Sequence, residues 1–109
     1  MVYLATAATL EALSRREFER LDVQARAKIR IGKRAYAGYI ENISEGGARI
    51  VTLTPIRDTG RVVVTVPDLR PLAGELCWSD GCAGGVQFHL KLESAVLRQW
   101  LGLRIRKAA

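Results

Sequence analysis

Between Val23 and Ile31 the residues Gln24, Arg26, Lys28 and Arg30 alternate with Ala25, Ala27, Ile29 and Ile31. A period of two marks a half-buried strand, because successive side chains leave a pleated backbone on opposite faces. The segment is therefore read as strand, with an apolar face for a core and a basic face for water.

The punctuation that follows repeats the theme. Gly32-Lys33 turns the chain into a second strand from about Arg34 to Ile43, which ends in the polar turn Asn42 to Gly47. A third strand, Ala48 to Leu53, is closed by Pro55, and Thr59-Gly60 precedes the valine-rich strand Arg61 to Val66, stopped by Pro67. Asp68 to Pro71 makes the next loop. Ala73 to Trp78 and Gly84 to Leu90 read as a hairpin joined through Ser79-Asp80-Gly81, where Asp-Gly is a strong short-range turn signal.

Six strands at regular spacing predict a mainly β fold, a small six-stranded antiparallel barrel. From Glu93 to about Arg104, Val96, Leu97, Trp100 and Leu101 fall at helical spacing, so a C-terminal α-helix is expected to cover one end of the barrel, with Gly102 weakening or finishing it. Trp100 is expected in that helix interface and Trp78 inside the barrel. Ahead of the barrel a short helical candidate, Thr9 to Leu13, gives way to a polar, arginine-rich loop. One domain is expected, with an N-terminal segment over 1–22 and the barrel and helix over 23–109.

Hydrophobic residues at 49% and charged residues at 26% agree with a globular chain that folds alone. Seventeen Lys and Arg against eleven Asp and Glu leave a formal +6, which favours an anionic partner without choosing among a small phosphate ligand, nucleic acid and an anionic membrane. Met1 to Ser14 lacks a basic start and an apolar core, so no signal peptide is read there. Apolar runs such as Val62 to Val64 fall far short of the roughly twenty residues a membrane helix needs, which makes a cytoplasmic location the default expectation.

Cys77 and Cys82 are too few for a disulfide scaffold, and with His89 as the one histidine the chain cannot furnish a zinc site. The two thiols can face each other across the hairpin, but core packing is their expected use in a reducing compartment. His89 has no evident nucleophile or paired carboxylate beside it in the sequence, so no enzyme activity is expected. Arg26, Lys28 and Arg30 have no aromatic residues interleaved for base stacking, so that face is read as solvated exterior and no DNA or RNA partner is expected. The basic stretch of Arg98, Arg104, Arg106 and Lys107 is read as a solvated tail.

Two short segments carry the chemistry. Arg15-Arg16-Glu17-Phe18-Glu19-Arg20 supplies a cluster of guanidinium groups, and Asn42-Ile43-Ser44-Glu45-Gly46-Gly47 supplies a polar, glycine-bearing turn. Guanidinium forks grip phosphates or the O6/N7 edge of guanine bidentately, while Asn and Ser hydrogen-bond a base edge where glycine lets the backbone come close. Together they describe a site for a guanine nucleotide.

These residues resemble the PilZ domain, the bacterial receptor module for cyclic di-GMP. That family shows RxxxR before the first strand and [D/N]xSxxG in the turn after the second, matched here by Arg16 to Arg20 and by Asn42 to Gly47. Leu76-Cys77-Trp78 with Gly85-Val86-Gln87-Phe88 also resembles the family's closing hairpin, and a six-stranded barrel followed by a helix is its fold.

The resemblance implies cyclic di-GMP as ligand, with no cofactor, and assigns Arg15, Arg16, Arg20, Asn42, Ser44, Gly46 and Gly47 to its binding. Arg16 and Arg20 would take phosphate and pack on guanine, and Arg15 would reach a second guanine. Asn42 would offer its carboxamide oxygen to guanine N–H donors and Ser44 a hydroxyl to base or phosphate, while Gly47 would keep a side chain out of the ligand's space. The implied mechanism is ordering of a flexible arginine loop onto the barrel, which creates a surface for an unidentified downstream protein; a monomer or weak dimer is expected. The competing readings are a PilZ-like adaptor that binds no nucleotide and a small RNA-binding barrel.

Overall fold

In β1 (Leu21–Ile31) the expected alternation is realised residue by residue: Ala25, Ala27, Ile29 and Ile31 are buried, and Gln24, Arg26, Lys28 and Arg30 are exposed. The computed structural model describes residues 21–108. The helical candidate Thr9 to Leu13 and the segment Arg15 to Arg20 lie outside the described residues. Five further strands follow, β2 (Arg34–Ile43), β3 (Gly47–Thr52), β4 (Arg61–Thr65), β5 (Leu72–Asp80) and β6 (Ala83–Phe88), and then helix α1 (Ser94–Ala108).

All pairings are antiparallel, and the strands close into a barrel in the order β1-β2-β3-β6-β5-β4. Inward-facing residues of every strand fill it, among them Ile29, Ile31, Ile40, Ile50, Val62, Val64, Leu72 and Val86. This β-branched, aliphatic filling suits a barrel with no room for a lumen. Tyr36 and Thr52 are buried with polar tips; the Tyr36 hydroxyl donates to Asp58 Oδ2 at 2.7 Å and accepts the Arg57 N–H at 3.0 Å, which ties the β3–β4 loop to the barrel.

Three expectations need correcting. The β5–β6 turn is centred on Gly81-Cys82, one residue later than the Asp-Gly signal suggests, because Asp80 still pairs with Ala83 and the positive φ of 63° falls on Gly81. The cysteines do not enter the core: Cys77 is exposed, Cys82 is half-buried in the turn, and both thiols are free. Gly102 neither ends nor interrupts α1, which continues to Ala108.

The helix docks through three of the four residues of its apolar stripe, and Val96 stays exposed. Leu97 and Trp100 join the core cluster, with Leu101 packed against it. Trp100 is 1% exposed, and its indole Nε1–H donates to the Pro67 carbonyl at 2.9 Å, so the ring is buried without stranding its polar atom. Trp100→Ala should cost about 3–5 kcal/mol by removing the largest buried side chain and leaving a cavity. Urea unfolding followed by circular dichroism measures this as a lower midpoint, and a loss below about 1 kcal/mol would separate the helix from the barrel's core.

Candidate functional site

The turn after β2 builds itself. Ser44 is 4% exposed, its N–H donates to the Gly47 carbonyl at 2.8 Å, and its Oγ accepts the N–H groups of Gly46 and Gly47 at 3.3 and 3.2 Å. The same hydroxyl donates to the Gly47 carbonyl at 3.3 Å. A serine at this position thus satisfies backbone donors that a tight turn leaves unpaired.

The turn is also pinned from behind. The Gly46 carbonyl accepts the Phe88 N–H at 2.9 Å and the Glu45 carbonyl accepts the Leu92 N–H at 2.8 Å, which fastens it to the link between β6 and α1. At Gly47 a Cβ would sit 2.3 Å from the Val86 carbonyl oxygen. The space a side chain would need is filled by β6, so the approach of two strands requires glycine here, independently of any ligand.

Of the sequence-derived site residues, Asn42, Ser44, Gly46 and Gly47 come together at this turn. Arg15, Arg16 and Arg20 lie outside the described residues. The described chain enters the barrel at Leu21, which pairs with Ile43, so the residue following Arg20 is beside the turn.

Asn42 opens a row that crosses the barrel's outside. It pairs with Asp22 on β1 and with Arg49 on β3; Arg49 pairs with Gly85 on β6, and Gly85 with Trp78 on β5. Directly paired residues put their side chains on one face, so Asp22, Asn42, Arg49 and Trp78 share this surface. The guanidinium carbon of Arg49 lies 5.1 Å from the centroid of the Trp78 ring, a cation–π contact, and its Nε donates to the Glu41 carboxylate.

Gly85 makes the platform possible. A Cβ there would fall 2.1 Å from Trp78 Nε1, so the indole lies across β6 where a side chain would otherwise stand. The result is a part-exposed indole with a part-exposed guanidinium over its ring, both in register with Asn42, a surface that offers apolar ring area and N–H donors to a planar base.

Sequence reasoning missed Arg49, Glu41, Gly85 and the placement of Trp78, which is 43% exposed and outside the barrel. Strict alternation from Leu72 through Gly74 and Leu76 carries Trp78 inward. The register shift between Leu76 and Trp78 leaves Cys77 as an extra residue and moves the indole to the outside. A matching shift between Ile40 and Asn42 leaves Glu41 extra on β2, so Glu41 and Asn42 are both outside between the buried Ile40 and Ile43. The available signal was Gly84-Gly85 opposite a tryptophan.

Elsewhere on the exterior, the barrel brings Glu75 Oε2 to 3.0 Å from His89 Nε2, a paired carboxylate that the sequence did not reveal. Both side chains are about half exposed, and among the described residues no group of three His, Cys, Asp or Glu is arranged to hold a metal. Among them, too, no helix is long and apolar enough to cross a membrane.

A family model described as the PilZ domain matches residues 14–103, a span that contains both the arginine segment and the Asn42–Gly47 turn. No curated protein matches the chain.

Two substitutions test this geometry. Ser44→Ala should lower stability by about 1–3 kcal/mol, because two buried-turn N–H groups lose their acceptor; unchanged unfolding would mean that the hydroxyl does not hold the turn. Gly85→Ala should lift the indole off β6 and red-shift the emission of Trp78, resolved from Trp100 by subtracting a Trp78→Phe spectrum. An unshifted spectrum would contradict the close approach.

Proposed function

The chain belongs to the PilZ domain family, and from that premise we propose that it binds cyclic di-GMP and relays the signal to a partner protein. PilZ domains are binding modules rather than enzymes. The observation that carries the proposal is the Trp78–Arg49 platform lying in register with Asn42, beside the point where the chain leaves its arginine segment.

Each group has a role set by its chemistry. Guanine packs against the Trp78–Arg49 pair, and Arg49 offers N–H donors to the O6/N7 edge or a phosphate. Asn42 presents its carboxamide oxygen to guanine N1–H or N2–H2, with the carboxylates of Asp22 and Glu41 on the same outer face. Ser44, Gly46 and Gly47 hold the turn that aims Asn42. Arg16 and Arg20 close over the phosphates, and Arg15 reaches the second guanine.

The arginine segment repels itself and has little apolar area to bury, so the ligand's two phosphates are what draws it onto the barrel. The ordered segment then forms the surface that the partner reads. Losing either arginine removes charged hydrogen bonds worth about 1.5–3 kcal/mol each.

Isothermal titration of cyclic di-GMP, with GTP as control, tests this in the wild type, Arg16→Ala and Trp78→Ala. Saturable wild-type binding is expected, abolished by Arg16→Ala and weakened roughly tenfold or more by Trp78→Ala, as loss of one stacking contact implies. Absence of wild-type binding at high micromolar ligand would leave the nucleotide-independent adaptor as the function.

A further inference from the structure

The flank of the barrel made by β4, β1 and β2 has a different chemistry from the Asn42–Trp78 row. Arg26, Lys28 and Arg30 point outward in a line, alternate residues of one strand and so about 7 Å apart. None of the three forms an ion pair among the described residues. No Asp or Glu occurs in β4 or anywhere from Val23 to Ile40; the acidic residues of β1 and β2, Asp22 and Glu41, are at the far end of these strands beside the Asn42 row, and Glu41 is already paired with Arg49.

Beside it opens a groove of about 900 Å³, lined in part by Arg26, Lys28, Ala37, Tyr39, Leu53 and Pro67. Leu53 is 71% exposed at its rim, the most exposed large hydrophobic side chain among the described residues. Cross-strand pairing fixes the layout: Arg26 is opposite Tyr39, and Lys28 lies between Ala37 on one side and Thr65 on the other. The Leu53 N–H donates to the Ala37 carbonyl at 2.9 Å, which holds this leucine next to the same row.

We propose that this flank receives an extended acidic segment of a partner protein. Carboxylates at alternate positions of such a segment repeat at the spacing of Arg26, Lys28 and Arg30, and an apolar side chain enters the groove between Tyr39 and Leu53. The barrel is closed, so these strands offer no free backbone edge and recognition runs through side chains rather than strand addition. A nucleic acid strand would satisfy the cations but leave Leu53 and the apolar groove uncovered, with Tyr39 as the one aromatic ring available for stacking. A membrane surface is flat where this face is concave.

The proposal goes beyond cyclic di-GMP binding, since none of these residues belongs to the nucleotide row. The test uses the full chain and fluorescence anisotropy of a labelled peptide with glutamate at three alternate positions followed by leucine and tyrosine. Comparison probes are a peptide of the same composition with contiguous glutamates, a twelve-nucleotide single-stranded RNA, and phosphatidylglycerol vesicles in a sedimentation assay.

Saturable binding of the alternating peptide is expected, at least fivefold tighter than the contiguous one, and weakened at least tenfold by Lys28→Glu and by Leu53→Asp. Both substitutions are at exposed positions, and matched thermal melts confirm that the variants fold. Equal binding of the two peptides would reduce the face to unspecific charge and overturn the proposal. So would no peptide binding, loss in Lys28→Glu but not in Leu53→Asp, or tighter capture of the RNA or the vesicles.

Discussion

Four residues of β1, Lys28 to Ile31, pair with β4 from Thr65 back to Val62, and that seam turns a six-stranded sheet into a barrel. Without it β1 and β4 would each present a row of unpaired backbone groups, and Ile29, Ile31, Val62 and Val64, all 1% exposed or less, would lose the enclosure that buries them. Closure imposes a cost in curvature. Strands that bend into so small a barrel shed regular pairing at defined points, and here the register shifts between Asp22 and Ala25, between Ile40 and Asn42, and between Leu76 and Trp78.

The candidate site is assembled from those same irregularities. The shift on β2 sets Glu41 and Asn42 outside together, and the shift on β5 moves Trp78 from the interior to the surface. Between them, Arg49 and Gly85 keep regular pairing, so the four strands bring a carboxamide, a guanidinium and an indole into one row. The turn from Ser44 to Gly47 then locks the end of β2 against the β6–α1 link, which makes the helix and the row parts of one mechanical unit. A site built on strands and a pinned turn is more rigid than one built on loops.

The fold was legible because its strands carry their environment in alternation. Ala25, Ala27, Ile29 and Ile31 could face only a core, and the Pro and Gly residues between the strands marked the ends to within a residue or two. The helix was legible from Leu97 and Trp100, although Gly102 overstated its weakness, since tertiary packing upstream carries the helix past a single poor residue. Trp78 was misplaced because period-two reasoning assumes an unbroken pleat; one extra residue, Cys77, inverts every inference beyond it. Arg49 was invisible for a related reason: its partners Glu41 and Trp78 are on other strands, and only the register brings them together.

Ser44 and Gly47 change what the turn motif signifies. Both are required by the barrel itself, the serine to satisfy the turn's N–H groups and the glycine to admit the Val86 carbonyl, so a member of the family that bound no nucleotide would keep them for folding alone. Trp78 and Gly85 have no such reason to be present. An indole left 43% exposed contributes little to the core, and a glycine inside a strand gives up about 0.5–1 kcal/mol relative to alanine. A pair that the fold does not require, set beside an arginine and in register with Asn42, is the feature on which the proposal of a receptor rather than an adaptor rests, where the turn alone would not distinguish the two.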